Sequence, residues 1–460
     1  MLLDVLFAVG LLASTASQLR PAGASIGPGE TCLAIWCFLM FARETGRLGP
    51  PLTPVFSRLL TFWIIFAVAM CLGTMMAFAI GDVHDPVWFM HDTIAYAVVA
   101  TVSCLSVVEP GAGLRLHRVA WILATFGSIW LALQAAHGWG LIDIAGFEPW
   151  EWDRLRGLSD NANQLALLCA VIGLLSLHLA EAASRFGEKI AAIVCMTVAV
   201  IVGRLTKSDA FLLSLIAAGL IFIALKMRTW LSLERTTLRS ASAWIFILAL
   251  PLAAAYIIPL EPSIADRVQQ VIKEMTRGGT SGDTEQTAGR RIHLWSAAMR
   301  RGIESGMLGL GPGPHLEIPP EIVAGRRDTK NDPSHVEHPQ LNFTPNFEAH
   351  NTLLDLLAQG GFITVTILIW LVTTTLLMTL RAKLDALTTL LVGLATFSMF
   401  HLIVRHPIVW FAIVFCLVKA ASVHWVPRSR FAVENLYTDA VGLSSKRTRL
   451  IGAGAWRSRR

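Results

Sequence analysis

Leu59-Leu-Thr-Phe-Trp-Ile-Ile-Phe-Ala-Val-Ala-Met-Cys-Leu-Gly-Thr-Met-Met-Ala-Phe-Ala-Ile80 contains no Asp, Glu, Lys, Arg or His. At 1.5 Å of rise per residue, roughly 20 apolar residues in a helix cross a hydrocarbon core. The run is continuous, with no strand-like alternation. Lipid admits only helices or closed barrels, because every backbone group must be satisfied internally. The stretch therefore reads as a membrane-spanning helix over 58–80. Working outward, similar runs fall at 2–19, 26–42, 88–108, 116–136, 163–182, 189–205, 209–226, 242–260, 352–380, 384–404 and 408–426. The expected fold is an all-α polytopic membrane protein with about twelve transmembrane helices and one large, partly helical periplasmic loop. Composition agrees: of 460 residues, 54% are hydrophobic and only 15% charged, which excludes an ordinary set of soluble domains.

Lys and Arg in the loops set orientation. One alternating set holds Arg43, Arg47 and Arg58, then Arg115 and Arg118, Arg185 and Lys189, Lys226 to Arg239, and Arg381 and Lys383. The opposite set is richer in Asp and Glu. Both termini are accordingly expected in the cytoplasm, with the chain in an inner membrane. The organisation is nine spans (1–260), a large extracytoplasmic loop (261–350), three further spans (351–426) and a basic cytoplasmic tail (427–460). Residues 2–19 lack a basic leader and read as a retained span and not as a cleaved signal peptide. The seven cysteines all lie in apolar segments, so no disulfide framework is expected in the loop. The net charge of +6 sits in short loops and the tail, where topology and anionic lipid account for it; no nucleic-acid partner is implied.

Three constellations near the large loop carry chemistry. Gly289-Arg290-Arg291-Ile292-His293-Leu294-Trp295 opens a helix with Ile292, Trp295, Met299 and Ile303 at helical spacing on one face. Such a face suits the membrane surface. Arg290 and Arg291 would then stand at phosphate level, where a guanidinium fork meets either lipid headgroups or a phosphorylated substrate. Gly309-Leu-Gly-Pro-Gly-Pro314 is a backbone turn that ends the helix; without a following Lys-Ser/Thr it is no nucleotide loop. Glu348-Ala-His-Asn351 precedes a long span. Asn351 is a good N-cap, and an anion is favoured at such a helix start. His350 beside it is either a boundary residue or a base working near neutral pH. Asp355, one turn on, is placed to orient a partner.

Among the ionisable residues inside spans, the functional candidates are His91, Asp92, His178 and His401. Arg204, Lys207 and Asp209 bound one outer turn, and Arg405 and His406 another; cations there run against the orientation rule and suggest an anionic ligand. Asp332, His335, Glu337 and His338 are the one metal-like cluster, but no Cys and no helical His-Glu-x-x-His accompany them. No metal or cofactor is expected.

Taken together, Arg291-Ile-His-Leu-Trp295, Leu308-Gly-Leu-Gly-Pro-Gly313 and Ala349-His-Asn-Thr-Leu-Leu354, with Gly360 and Gly361 following, resemble the O-antigen ligase and O-antigen polymerase family of bacterial membrane glycosyltransferases. Gly157-Leu-Ser-Asp-Asn-Ala-Asn163-Gln is similar to the family's entry into its sixth span. The resemblance implies a glycan donor on undecaprenyl diphosphate, used at the periplasmic face, and a glycan or lipid A-core acceptor. It implies His350 as base for the acceptor hydroxyl and Arg291 as diphosphate ligand, with Arg290 its neighbour. Family members often carry Ser-Arg where this chain has Ser208-Asp209, so Arg204 or Lys207 is a candidate replacement, with Asn351 a further contact. Ligase and polymerase differ only in acceptor. A transporter of an anionic solute is the alternative from another class.

Overall fold

A computed structural model describes residues 1–20, 26–46, 53–82, 85–109, 111–144, 146–151, 153–232, 283–317 and 347–424. The expected span at 242–260, the cluster around His335 and His338, and the basic tail lie outside them. The described chain is almost wholly helical: α1 Leu2–Ala13, α2 Pro28–Thr45, α3 Pro54–Ile80, α4 Pro86–Val108, α5 Ala112–Gly138, α6 Ala162–Ala182, α7 Phe186–Leu205, α8 Asp209–Ser232, α9 Asp283–Glu304, α10 Thr352–Arg381, α11 Asp385–Ser398 and α12 Pro407–His424. A two-residue hairpin, β1 Trp150–Glu151 and β2 Arg154–Leu155, sits between α5 and α6.

Among the described residues, seven helices, α3 to α8 and α10, are long and apolar enough to cross a membrane. The apolar helices α1, α11 and α12 are shorter. Glu30, Arg43 and Glu44 within its eighteen residues keep α2 out of the first group. The starts follow local chemistry. Pro54 and Pro86 open α3 and α4, where a missing N–H costs nothing. Thr53, Asp85, Asn161 and Asn351 each accept a first-turn amide. Two ends come earlier than expected. Ser14 and Thr15 hydroxyls donate back to Leu11 and Leu12 carbonyls, closing α1 at Ala13 and not at 19. Asn351 and Thr352 draw on the carbonyls of Met399 and His401, so α11 stops at Ser398 and 399–406 becomes a turn.

The core centres on α6, buried at every residue from Leu165 to Ala180. It packs against α5, α7, α8, α11 and α12. Aromatic rings join the other helices: Phe7 stacks on Trp36 at 4.2 Å, and Trp63 meets Trp410 at 4.4 Å. Buried charges are paired, as a low-dielectric interior requires. Arg115 meets Glu109 at 2.6 Å, and Lys226 joins Asp385 at 2.9 Å and also Glu181.

One span departs from regularity. Gly360 (φ −123°, ψ 15°) and Gly361 (φ 67°, ψ −162°) break α10 eight residues after its start. The freed groups are taken by the Gly-rich segment: Leu310 N donates to Ala358 O (2.8 Å), Gly311 N to Gln359 O (2.7 Å), and Phe362 N to Met307 O (2.9 Å). A broken helix survives in a membrane only when protein re-satisfies its backbone in this way. The approach is too close for side chains. A Cβ on Gly309 would stand 2.4 Å from Gln359 O, and one on Gly361 2.1 Å from Met307 O. The segment expected only to end a helix and turn the chain therefore also completes a neighbouring one.

Candidate active site

The docked segment carries α9 with it. Leu294 and Ala298 are buried with Leu316 and Ala349 in a small cluster that Leu354 and Trp295 join. Ile292, Met299 and Ile303 face outward and are exposed. The apolar face expected on α9 is thus split. Its buried side is the neighbouring row, and three of the four named residues remain available to lipid.

Just before α10 the chain passes Leu316, which pairs with Phe347 through two backbone hydrogen bonds. His350 follows in the left-handed region at φ 52°, uncommon for a residue with a side chain. The Asp355 carboxylate holds it there. One oxygen accepts Ala349 N–H (2.6 Å) and the other accepts Asn351 N–H (3.1 Å), so the amides on both sides of His350 end on one group. The Asn351 side-chain oxygen accepts the Leu353 and Leu354 amides, and one N–H of its NH2 donates to Met399 O.

The His350 ring lies edge-on to Phe347 (5.2 Å between centroids) and to His401 (5.9 Å). Neither ring nitrogen has a hydrogen-bond partner among the described residues. Burial lowers its pKa below the ordinary histidine value; Arg291 and Arg405 push the same way and Glu348 opposes. The imidazole is accordingly neutral at pH 7, with a lone pair to offer. His401 is held further down, by burial first and then by His350, Arg291 and Arg154. Its Nε2 is buried without a partner.

Arg291 comes from α9 into the same space. Its guanidinium carbon lies 5.6 Å from the centre of the Phe400 ring, next to His401, and it makes no hydrogen bond or ion pair among the described residues. Burial pulls its pKa below the usual range, Asp209 opposing and Arg154 adding to the effect. Arg405 donates to Asp92 (2.6 Å) and to Glu348, and His91 Nδ1 lies 3.0 Å from Asp92. Burial costs Arg405 charge, yet Glu348 and Asp92 outweigh it and hold the pKa above the ordinary value. Arg405 thus anchors Glu348, two residues from His350, to α4.

Of the other residues singled out in the sequence, Arg204 lies in the last turn of α7. Lys207 follows at φ 48°, paired with Asp153 at 2.5 Å. The Arg290 side chain is outside the described residues. His178 lies apart from the site in α6, against Phe415. Among the described residues, no group of three His, Cys, Asp or Glu side chains could hold a metal ion. Sequence reasoning named Asp92 and Arg405 but not their pairing, and His401 but not its contact with His350, and it did not single out Arg154. The pattern Arg154-x-Arg156-Gly157 ahead of α6 was the available signal.

Among the described residues, the arrangement offers an imidazole without a hydrogen-bond partner and a guanidinium without an ion pair, and the second acts electrostatically on the first. That pairing suits proton removal from a hydroxyl next to a bound anion. Residues 190–369, from within α7 to beyond the break in α10, match the family model described as O-antigen ligase. No curated protein matches the chain.

Proposed function

We propose that this chain, which belongs to the O-antigen ligase and polymerase family through residues 190–369, transfers a glycan from undecaprenyl diphosphate to an acceptor hydroxyl, the acceptor being lipid A-core as in a ligase. The site would face the periplasm of a bacterial inner membrane, with both termini in the cytoplasm. The observation that carries the reading is that His350 and Arg291, which interact electrostatically, have no hydrogen-bond or ion-pair partner for ring or guanidinium among the described residues.

The chemistry balances without a cofactor. His350 takes the acceptor proton as the acceptor oxygen bonds to the anomeric carbon. The bond from that carbon to the diphosphate oxygen breaks, and the lipid diphosphate leaves with the electron pair. Arg291 meets the charge that develops on it through two parallel donors. Arginine charge stands where other transferases use a divalent ion, so the reaction proceeds without metal.

The test is purified protein supplied with an undecaprenyl-diphosphate-linked glycan and, separately, lipid A-core or a second lipid-linked glycan. Attachment to lipid A-core supports the ligase. Lengthened lipid-linked glycan identifies a polymerase. Absence of any transfer, together with uptake of an anionic solute by proteoliposomes, would replace the reading by transport.

A further inference from the structure

We propose that Arg154 is the second guanidinium of the donor site and binds the diphosphate from the side opposite Arg291; this rests on the transferase reading above. Arg154 stands on β2, opposite Glu151 in the hairpin. Glu151 in turn accepts the amide of Ala162, which ties the hairpin to the start of α6. The Arg154 Nε donates to the Thr206 carbonyl in the turn between α7 and α8 (3.1 Å), and one terminal nitrogen donates to the side-chain oxygen of Asn163 (2.8 Å). Both acceptors are neutral. The other terminal nitrogen has no partner among the described residues.

Neighbouring cations at this end of the molecule have carboxylates. Arg156 has Glu148, Lys207 has Asp153, Arg301 has Asp82, and Arg405 has Asp92 and Glu348. Arg154 and Arg291 have none within ion-pair distance among the described residues. They bear on each other electrostatically. Arg154 is fixed to the turn that runs into Asp209, and Asp209 bears electrostatically on Arg291. Arg291 lies on Phe400, Phe400 adjoins His401, and His401 faces His350. Both guanidiniums also act on His401, and Arg154 acts on Arg291.

Two partly buried cations that repel one another are costly until an anion enters between them. A diphosphate carries at least two negative charges and outer oxygens on two phosphorus atoms, more than one fork covers. Two hydrogen bonds hold the Arg154 fork before the ligand arrives, so little reorganisation is needed on binding. The charge supplied by Arg154 would weigh chiefly on donor affinity, because Arg154 is not among the groups that act on His350.

The experiment uses the full chain in detergent, with Arg154→Gln, Arg154→Lys and Asn163→Ala. Farnesyl diphosphate serves as binding probe, read as the rise in unfolding temperature, with farnesol as the uncharged comparison. Donor KM is measured alongside. Arg154→Gln is expected to raise donor KM by about tenfold or more and to abolish most of the farnesyl diphosphate shift, with acceptor KM unchanged. Arg154→Lys should recover part of both. Asn163→Ala removes a tether but leaves the guanidinium, so its donor KM should rise by less than about threefold. If Arg154→Gln fails to fold, the folded Lys variant decides by the same two readings. Unchanged donor KM and an intact shift in a folded Arg154 variant would overturn the proposal. So would equal losses in Asn163→Ala and Arg154→Gln, which would reduce Arg154 to a strut. Farnesyl diphosphate binding that depends on Arg154 in a protein that transfers no glycan would leave the anion site standing and remove the transferase reading instead.

Discussion

Gly309→Ala tests whether the broken helix and the site are one assembly. The added methyl would stand 2.4 Å from Gln359 O and 2.5 Å from Gly361 N, at φ +83°. An L-residue in the left-handed region costs about 1–2 kcal/mol. Relieving the contact requires the segment to back away, which loses the three hydrogen bonds from 307–311 to α10. At a net contribution of about 1 kcal/mol each, the total comes to about 4–5 kcal/mol. Gly306→Ala supplies the comparison. It has φ +62° with nothing within 4 Å, so only the conformational term of about 1–2 kcal/mol applies. Thermal unfolding in detergent can be followed with a thiol-reactive dye, since Cys169, Cys195 and Cys416 are free and buried. The Gly309 variant should lose roughly three times as much stability as the Gly306 variant, and transfer should fall with it. Equal losses in the two variants would refute the docking argument.

Three further outcomes are expected. His350→Ala should abolish transfer while the unfolding temperature stays close to wild type; near-normal transfer would end its role as base. Because the folded His350 pKa lies below the ordinary 6.5, kcat/KM should hold steady near neutral pH and fall only as acidity protonates the ring, below about pH 6.5; an acidic limb centred above pH 7 would contradict this. Arg291→Lys keeps the charge but loses the fork, and one lost charge-assisted bond of about 1.5–3 kcal/mol should slow transfer by about ten- to a hundredfold, whereas a rate within about twofold would favour mere anchoring to headgroups.

Much of the helical frame was legible because lipid imposes a length and a polarity that a sequence displays directly. The cap at Asn351 was equally local. Helix ends set by distant partners were not. Nothing near 399 announces that Asn351 will claim its carbonyl. The Gly360-Gly361 pair was visible as a motif, yet a break inside a span is legible only once the segment that completes it is known. The Arg405 pairing with Asp92 joins α4 to the turn before α12, a relation that hydropathy does not encode. Lys207 looked like a free outer cation in sequence, but Asp153 claims it. Arg154 looked like one of several loop charges, and only its fixing by Thr206 and Asn163 sets it apart.

The break at Gly361 also redraws the molecule's natural seam. The eight residues 352–359 begin the same helix as 362–381, yet their backbone and side chains are tied to 307–311, to Ala349 and to the turn at 399–401. Anyone exchanging the outer region between relatives to alter acceptor choice would naturally cut where the span begins, at 351. That cut parts His350 from Asp355, the carboxylate that holds its shape. A hybrid joined at Gly361, carrying 307–311 with it, keeps base, bracket and plug from a single parent.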